Sequence, residues 1–255
     1  IFGNTRNGDV LAYLGSADYF NEEIEGKNDM IRRRRQPGSS IKPLVYALAL
    51  QNLPLTLDSP IFDIPFVIGG DRPSNAEGEF MGLVSLQRAL GLSRNIPAIK
   101  IFQAVGGEDV VKPHLKSLGL DSIQDNREYG YTLTLGAGEV SALELAQAYA
   151  HLTADGQPAD RDPILEIRSA DGTLLHEKKI SERKQIFPIG VIRLVREILS
   201  DPNNMIGALA NLTNIRGLRL AGKSGTSNVE TPRGNRPRDG RLALYHPSHV
   251  AVSEP

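Results

Sequence analysis
At 255 residues the chain can bury a substantial core, as one domain or two. Hydrophobic residues at 40% and charged residues at 23% are the proportions of an ordinary globular protein, and a net charge of -1 argues against a general nucleic-acid binder. Cysteine is absent, which excludes disulfides and thiol chemistry, and no apolar run reaches membrane-spanning length.

The chain opens on "IFGNTRNGDVLAYLGS", which predicts a strand stub, an Asn7-Gly8 hairpin turn and a second strand over 10–14. A polar, basic stretch follows, ending in four arginines at 32–35; a solvated loop is the ordinary use of such a run. Helix signals cover 39 to about 51. Residues 54–79, rich in Pro, Gly and Asp, predict a loop. Helical periodicity returns in "VSLQRALGLSRNIPAIKIFQAVGG", "DVVKPHLKSLGL" and "SALELAQAYAHLTADG". "PILEIRSADGTLLHE" predicts a hairpin turning at Asp171-Gly172. "FPIGVIRLVREILSD" predicts a helix that enters after a proline and stops before Pro202. The end alternates as strands in "LRLAGKSGTS", "RLALYHP" and "HVAVS". Strands at both ends with helices between predict one antiparallel sheet built from both termini against an all-helical lobe. The boundaries expected are a sheet lobe from about 1–20 and 185–255 and a helical lobe over about 38–155, in one α/β domain spanning 1–255.

Three short motifs carry chemistry. In "RRQPGSSIKP", Ser39 falls where a helix begins, at or near its N-cap. Pro43 suits the first turn, where a missing N–H matters little. Lys42 shares a face with Ser39, whereas Ser40 points elsewhere. A serine nucleophile needs a base, and a lysine serves when burial and the positive helix end lower its pKa. S-x-x-K is common, however. A second copy, Ser181 to Lys184, sits in a charged stretch with no apolar helix beginning at its serine. The second motif is Ser93-Arg94-Asn95 between two helical runs, and the third is Lys223-Ser224-Gly225-Thr226 on a strand. Taken singly, Ser93 and Asn95 fit turn residues equally well, and Lys223 fits an exposed strand lysine.

S-x-x-K, S-x-N and K-[ST]-G in that order resemble β-lactamases and penicillin-binding proteins. With the flanks "RPSNAEGEFMGLVSLQRALGLSRNIPA" and "LTLGAGEVSALELAQAYAHLTADG", the chain resembles the transpeptidase domain of bifunctional, class A-type penicillin-binding proteins, over nearly its whole length. The resemblance implies a serine β-lactamase/DD-transpeptidase-like fold and a serine acyltransferase that cross-links peptidoglycan stem peptides and is acylated by β-lactam antibiotics. It implies Ser39 as nucleophile, Lys42 as base, Ser93 as proton relay and Asn95 as a holder of substrate and Lys42. Lys223 would supply positive potential, and Ser224, Gly225 and Thr226 would bind substrate, with hydroxyls on its carboxylate and a close backbone approach at Gly225. The backbone N–H groups of Ser39 and Thr226 would form the oxyanion hole.

The resemblance also implies a protein longer at both ends. An upstream glycosyltransferase domain, a membrane anchor and an extracytoplasmic location at the periplasmic face of the inner membrane would go with it. No cofactor or metal is implied; His246 and His249 lie in a short turn without a carboxylate partner. Two departures stand out: Ser224 where the family more often has Thr, and Arg241 where it has Trp.

The rivals share or mimic these motifs. A class A-like β-lactamase needs a deacylating glutamate between the second and third motifs, and none of the glutamates there is followed by Leu-Asn. Of these, Glu144 is expected on a helix surface and Glu139 at a helix N-terminus. A β-lactam sensor or scaffold that acylates without turnover shares every motif. Residues 217–224, "GLRLAGKS", match the P-loop pattern letter for letter, but a P-loop needs a helix after its Lys-Ser, and Gly and Pro fill the sequence there.

Overall fold
The computed structural model describes residues 1–4, 9–153, 164–178, 185–205, 207–215, 218–231, 234–246 and 249–253. The Asn7-Gly8 turn and the second S-x-x-K copy at Ser181 lie outside the described residues.

Strands β1 (Phe2–Asn4) and β2 (Val10–Ala12) open the chain. Helix α1 (Lys42–Asn52) follows a 3-10 turn, Gly38–Ile41. Residues 54–79 are not all loop. Strand β3 (Pro60–Asp63) pairs antiparallel with β4 (Gly82–Ser85), which occupies the start of the predicted helical run. The alternation Pro60 exposed, Asp63 buried is four residues long, too short to stand out among prolines. Helices α2 (Leu86–Gly91), α3 (Asn95–Ala104), α4 (Glu108–Ser117) and α5 (Ala142–Ala150) complete the middle. Strands β5 (Glu166–Arg168) and β6 (Leu174–Glu177) form the expected hairpin, with Gly172 at a positive φ of 88°. Helix α6 (Ile189–Ser200) starts after Pro188 and stops before Pro202, as its sequence predicts. Then come α7 (Gly207–Thr213), the short pair β7 (Asn214–Ile215) and β8 (Leu218–Arg219), and strands β9 (Ala221–Thr231), β10 (Gly234–His246) and β11 (His249–Ser253).

The main sheet runs β2-β1-β11-β10-β9, with every pairing antiparallel. Both termini therefore contribute to one sheet, and β9 is left as an edge strand. Helix α1 is buried on all sides from Lys42 to Leu50. A helix apolar all round belongs in the interior, and α1 forms the centre of the core. Leu44, Val45, Tyr46 and Leu48 pack there with Ala98, Val111, Leu145, Ile192 and Val195 from the surrounding helices. No described helix is long and apolar enough to cross a membrane.

One core group makes stability depend on pH. His114 of α4 lies 5.2 Å from the Phe187 ring, and burial, with a contribution from His151, holds it down from 6.5 to about 4. Above pH 6.5 the imidazole is neutral folded or unfolded, so it contributes no difference. As pH falls from 6.5 toward 4, the unfolded chain takes up a proton that the folded one refuses. Stability should therefore drop by up to about 3 kcal/mol over that window. Thermal melts at stepped pH check this, and His114→Gln should flatten the slope; a parent slope unchanged by the substitution would remove His114 as its cause.

Candidate active site
The turn that carries Ser39 is built by backbone packing. Ser39 does not act as the helix cap: the 3-10 turn is capped by Pro37, no side chain bonds its end, and the N-cap of α1 is Ile41. The Lys42 N–H donates to the Ser39 carbonyl. Side chains three apart eclipse in a 3-10 turn, so Ser39 and Lys42 still share a side, as the spacing predicts. Ser40 is wholly buried, with its hydroxyl donating to Pro37 O at 2.7 Å and its carbonyl accepting from the Tyr149 hydroxyl at 2.6 Å. Ser40 is thus a structural residue, and Ser39, half-buried, is the serine that remains accessible.

Gly38 and Gly225 explain how closely this turn meets the sheet. A Cβ on Gly225 would lie 2.1 Å from Pro37 O, and one on Gly38, at φ +56°, would lie 2.3 Å from Thr226 O. Strand β9 and the Ser39 turn therefore touch backbone to backbone. The sequence reading expected Gly225 to admit substrate. The structure gives it a different neighbour, the Ser39 turn itself, because the face of β9 at Gly225 is covered by Pro37 and Ser40.

Lys42 is fully buried. Its amine donates to Ser93 O at 2.7 Å, Arg94 O at 3.3 Å and Asn95 Oδ1 at 2.7 Å. Among the described residues no hydrogen bond joins it to the Ser39 hydroxyl. Burial, then the charges of Lys223 and Arg94, hold its pKa well below the usual lysine value, while Glu77 opposes them. A neutral amine has two N–H donors and one lone pair. The three acceptors match an ammonium's three donors, whereas the neutral form would serve the two at 2.7 Å and keep its lone pair for a proton.

Ser93 adopts a left-handed backbone with φ 59°, uncommon for a residue with a Cβ. Its hydroxyl accepts from Lys223 Nζ at 2.8 Å. Lys223 is 1% exposed, also donates to Ser224 O at 2.9 Å, and is lowered by burial to about 7. It is therefore not the exposed strand lysine of the alternative reading. Asn95 opens α3 and donates its amide to Ser74 O at 3.0 Å. Along β9 the period of two buries Lys223 and Gly225 and leaves Ser224 half-buried and Thr226 exposed. All three motifs thus meet at the open edge of β9, joined by Lys42, Asn95, Ser93 and Lys223.

Several participants carry no recognisable sequence signal. Asn75, Asp63 and Arg94 form a buried polar group behind the Ser93–Asn95 segment. Arg241, at the family's Trp position, is 3% exposed, lies opposite Gly225 in the β9–β10 register, and donates to Val140 O at 2.9 Å. Val140 is bridged to Arg35, so Arg241 ties β10 to the segment entering the Ser39 turn. Two glutamates differ from expectation. Glu144 forms a capping box with Ser141 at the start of α5 and is buried, whereas Glu139 is exposed. A carboxylate three residues after Ser satisfies backbone donors at the helix start, and that is Glu144's spacing. The P-loop reading fails on structure: Lys223 and Ser224 lie inside an 11-residue strand that leads to β10, with no helix after them among the described residues.

Residues 1–246 match the family model described as the penicillin binding protein transpeptidase domain. The chain belongs to this family. It is 28% identical to penicillin-binding protein 1A/1B of Bacillus subtilis over 98% of this chain and 28% of that protein. Against penicillin-binding protein 1A of Pseudomonas aeruginosa it is 30% identical over 68% of this chain and 21% of that protein. The chain thus spans less than a third of these relatives. The fold matches penicillin-binding protein PonA1 of Mycobacterium tuberculosis with a TM-score of 0.84 at 22% identity, covering 99% of this chain and 67% of that one. The same PonA1 protein in complex with penicillin V matches at 0.83. The serine β-lactamase/transpeptidase fold read from the motifs is therefore the fold observed.

Proposed function
We propose that the chain is the D-Ala-D-Ala transpeptidase unit of a peptidoglycan-synthesising enzyme and that β-lactams inhibit it by acylating Ser39. The observation that carries this reading is the buried amine of Lys42, held between Asn95 Oδ1 and Ser93 O three residues after an accessible serine. Ser39 Oγ attacks the penultimate D-Ala carbonyl and gives its proton to Lys42. The C–N bond breaks as Ser93 passes a proton to the departing amine, leaving an ester on Ser39. An acceptor amine then attacks the ester and restores the serine. The backbone N–H groups of Ser39 and Thr226 hold the oxyanion, where one donor is typically worth about 10²–10³ in rate. The hydroxyls of Ser224 and Thr226 hold the substrate's terminal carboxylate, and Lys223, bonded to Ser93 Oγ at 2.8 Å, supplies positive potential beside them. The unpaired edge of β9 suits a peptide laid alongside it as an added strand.

Penicillin V in complex with the structurally similar PonA1 supports the β-lactam part of this reading. The relatives' names carry penicillin binding, and the same proposal includes an extracytoplasmic cell-wall role with a glycosyltransferase domain and a membrane anchor elsewhere in the whole protein. Intact mass after incubation with a penicillin, followed by peptide mapping, should find one adduct, on Ser39. Label on Ser40 or Ser181, or none on folded protein, would overturn the assignment.

A further inference from the structure
The Ser93–Asn95 segment supplies three of the groups around Lys42, yet little in its own sequence holds it in shape. Ser93 sits in a left-handed conformation, which for a residue with a side chain persists only where surroundings enforce it. Helix α3 has no side-chain cap of its own from Arg94. The missing cap comes from 20 residues earlier: Asn75 Oδ1 accepts from Asn95 N at 2.8 Å and from Ile96 N at 3.3 Å.

An amide can cap in this way only if its oxygen faces the helix. Asp63 sets that orientation together with Glu79 O, which accepts from the same Asn75 Nδ2 at 2.9 Å. Asp63 is fully buried, and its Oδ1 accepts from Asn75 Nδ2 at 2.7 Å. A carboxylate accepts and cannot donate, so it draws the nitrogen of Asn75 and leaves the oxygen for α3. The other oxygen, Oδ2, accepts from Arg94 Nε at 2.8 Å and from Met81 N at 3.1 Å. The Arg94 fork extends to Glu77 Oε2 at 3.0 Å and to Glu79 O. Arg94 is the middle residue of the motif, and its own carbonyl faces Lys42. One carboxylate on β3 therefore fixes both the side chain of the middle residue and the backbone N–H of the third.

We propose that Asp63, acting through Arg94 and Asn75, is a positioning residue for the Ser93–Asn95 segment and hence for Lys42 and Ser93 in acyl transfer. It touches neither substrate nor the reacting atoms. The inference rests on Lys42 and Ser93 having the roles given above.

Asp63→Asn tests it. Asparagine has one acceptor oxygen where three donors converge, and its NH2 must face Asn75 Nδ2 or the Arg94–Met81 pair. The limiting acylation rate constant with a fluorescent penicillin should fall at least about tenfold, since misplacement of a catalytic group by an ångström costs about 10². The penicillin concentration for half-saturation should stay within about threefold, because the carboxylate-binding strand is untouched. A rate constant, unlike an amplitude, is insensitive to a fraction of unfolded protein.

Asp63→Asn acylating at parent speed would overturn the inference, and so would a loss that lies wholly in the half-saturation concentration. If Asp63→Asn does not fold, Arg94→Lys carries the same reading: an ammonium keeps the charge but cannot reproduce the fork, and acylation at parent speed would overturn the inference. Failure of the unchanged protein to label on Ser39 is a separate result, which removes the catalytic reading itself.

Discussion

Lys42→Arg should acylate with penicillin at least about a hundredfold more slowly than the parent, although charge and apolar stem are nearly kept; a positioned general base is typically worth about 10²–10⁴. The reason lies in the proton count. Lys42 is fully buried beside Lys223 and Arg94, and both burial and those charges favour its neutral form. Arginine does not lose its proton in a protein, so it presents a donor to Ser39 where a lone pair is required. A hundredfold loss corresponds to about 2.7 kcal/mol on the barrier. The acceptors that now hold Lys42, namely Ser93 O, Arg94 O and Asn95 Oδ1, can also satisfy a guanidinium, so the variant should fold. The measurement is the acylation rate constant, beside a thermal melt that certifies the fold. A rate within a few-fold of the parent would rule out Lys42 as the base.

The sequence revealed the chemistry more fully than the scaffold. Ser39, Lys42, Ser93, Asn95 and Lys223 could be singled out because the three motifs restrict residue type and their spacing follows from local geometry, and the fold brings Lys42, Ser93, Asn95 and Lys223 into hydrogen-bond contact. Three residues on a tight turn bring a serine and a lysine to one side whether the turn is α or 3-10. Helix α6 was readable for a similar reason, with proline on either side of an amphipathic run. The long-range contacts were not readable. Asp63 and Asn75 lie in a segment whose Pro and Gly content signals a loop, and their meaning comes only from α3 folding back against them. Gly225 was read for closeness to a substrate, whereas its neighbour is a turn nearly two hundred residues away in sequence. Arg241 looked like a lost tryptophan; in the fold it is a buried donor to Val140 O. In each case the partner is set by tertiary packing, to which neither local propensity nor periodicity responds.

A transpeptidase and a β-lactamase share all three motifs, so acylation cannot separate them, and deacylation must. The hydrolase needs a carboxylate placed to activate a water against the ester on Ser39. Three of the glutamates after Asn95 are committed elsewhere. Glu108 accepts from Tyr129 N and Gly130 N and pairs with Lys112 at 2.6 Å. Glu144 is bound in its capping box and accepts from Ser122 N. Glu166 pairs with Arg168 on an exposed hairpin. The carboxylate whose charge does reach Lys42 is Glu77, which lies before the second motif, and its Oε2 accepts from Arg94 Nη1 at 3.0 Å. A carboxylate oxygen already engaged by a guanidinium is a poorer acceptor for a water's proton, because that charge-assisted bond must be given up or shared. The penicilloyl ester should therefore survive for many minutes, and nitrocefin turnover should be slow or undetectable. An activated water would lower the deacylation barrier by several kcal/mol, and each 1.36 kcal/mol is tenfold, so the two outcomes lie about two or more orders of magnitude apart. Stopped-flow and intact-mass time courses after removal of free penicillin read the difference directly. Sustained nitrocefin hydrolysis at many turnovers per second, abolished by Glu77→Gln or by changing one of the later glutamates, would overturn the transpeptidase reading in favour of the hydrolase.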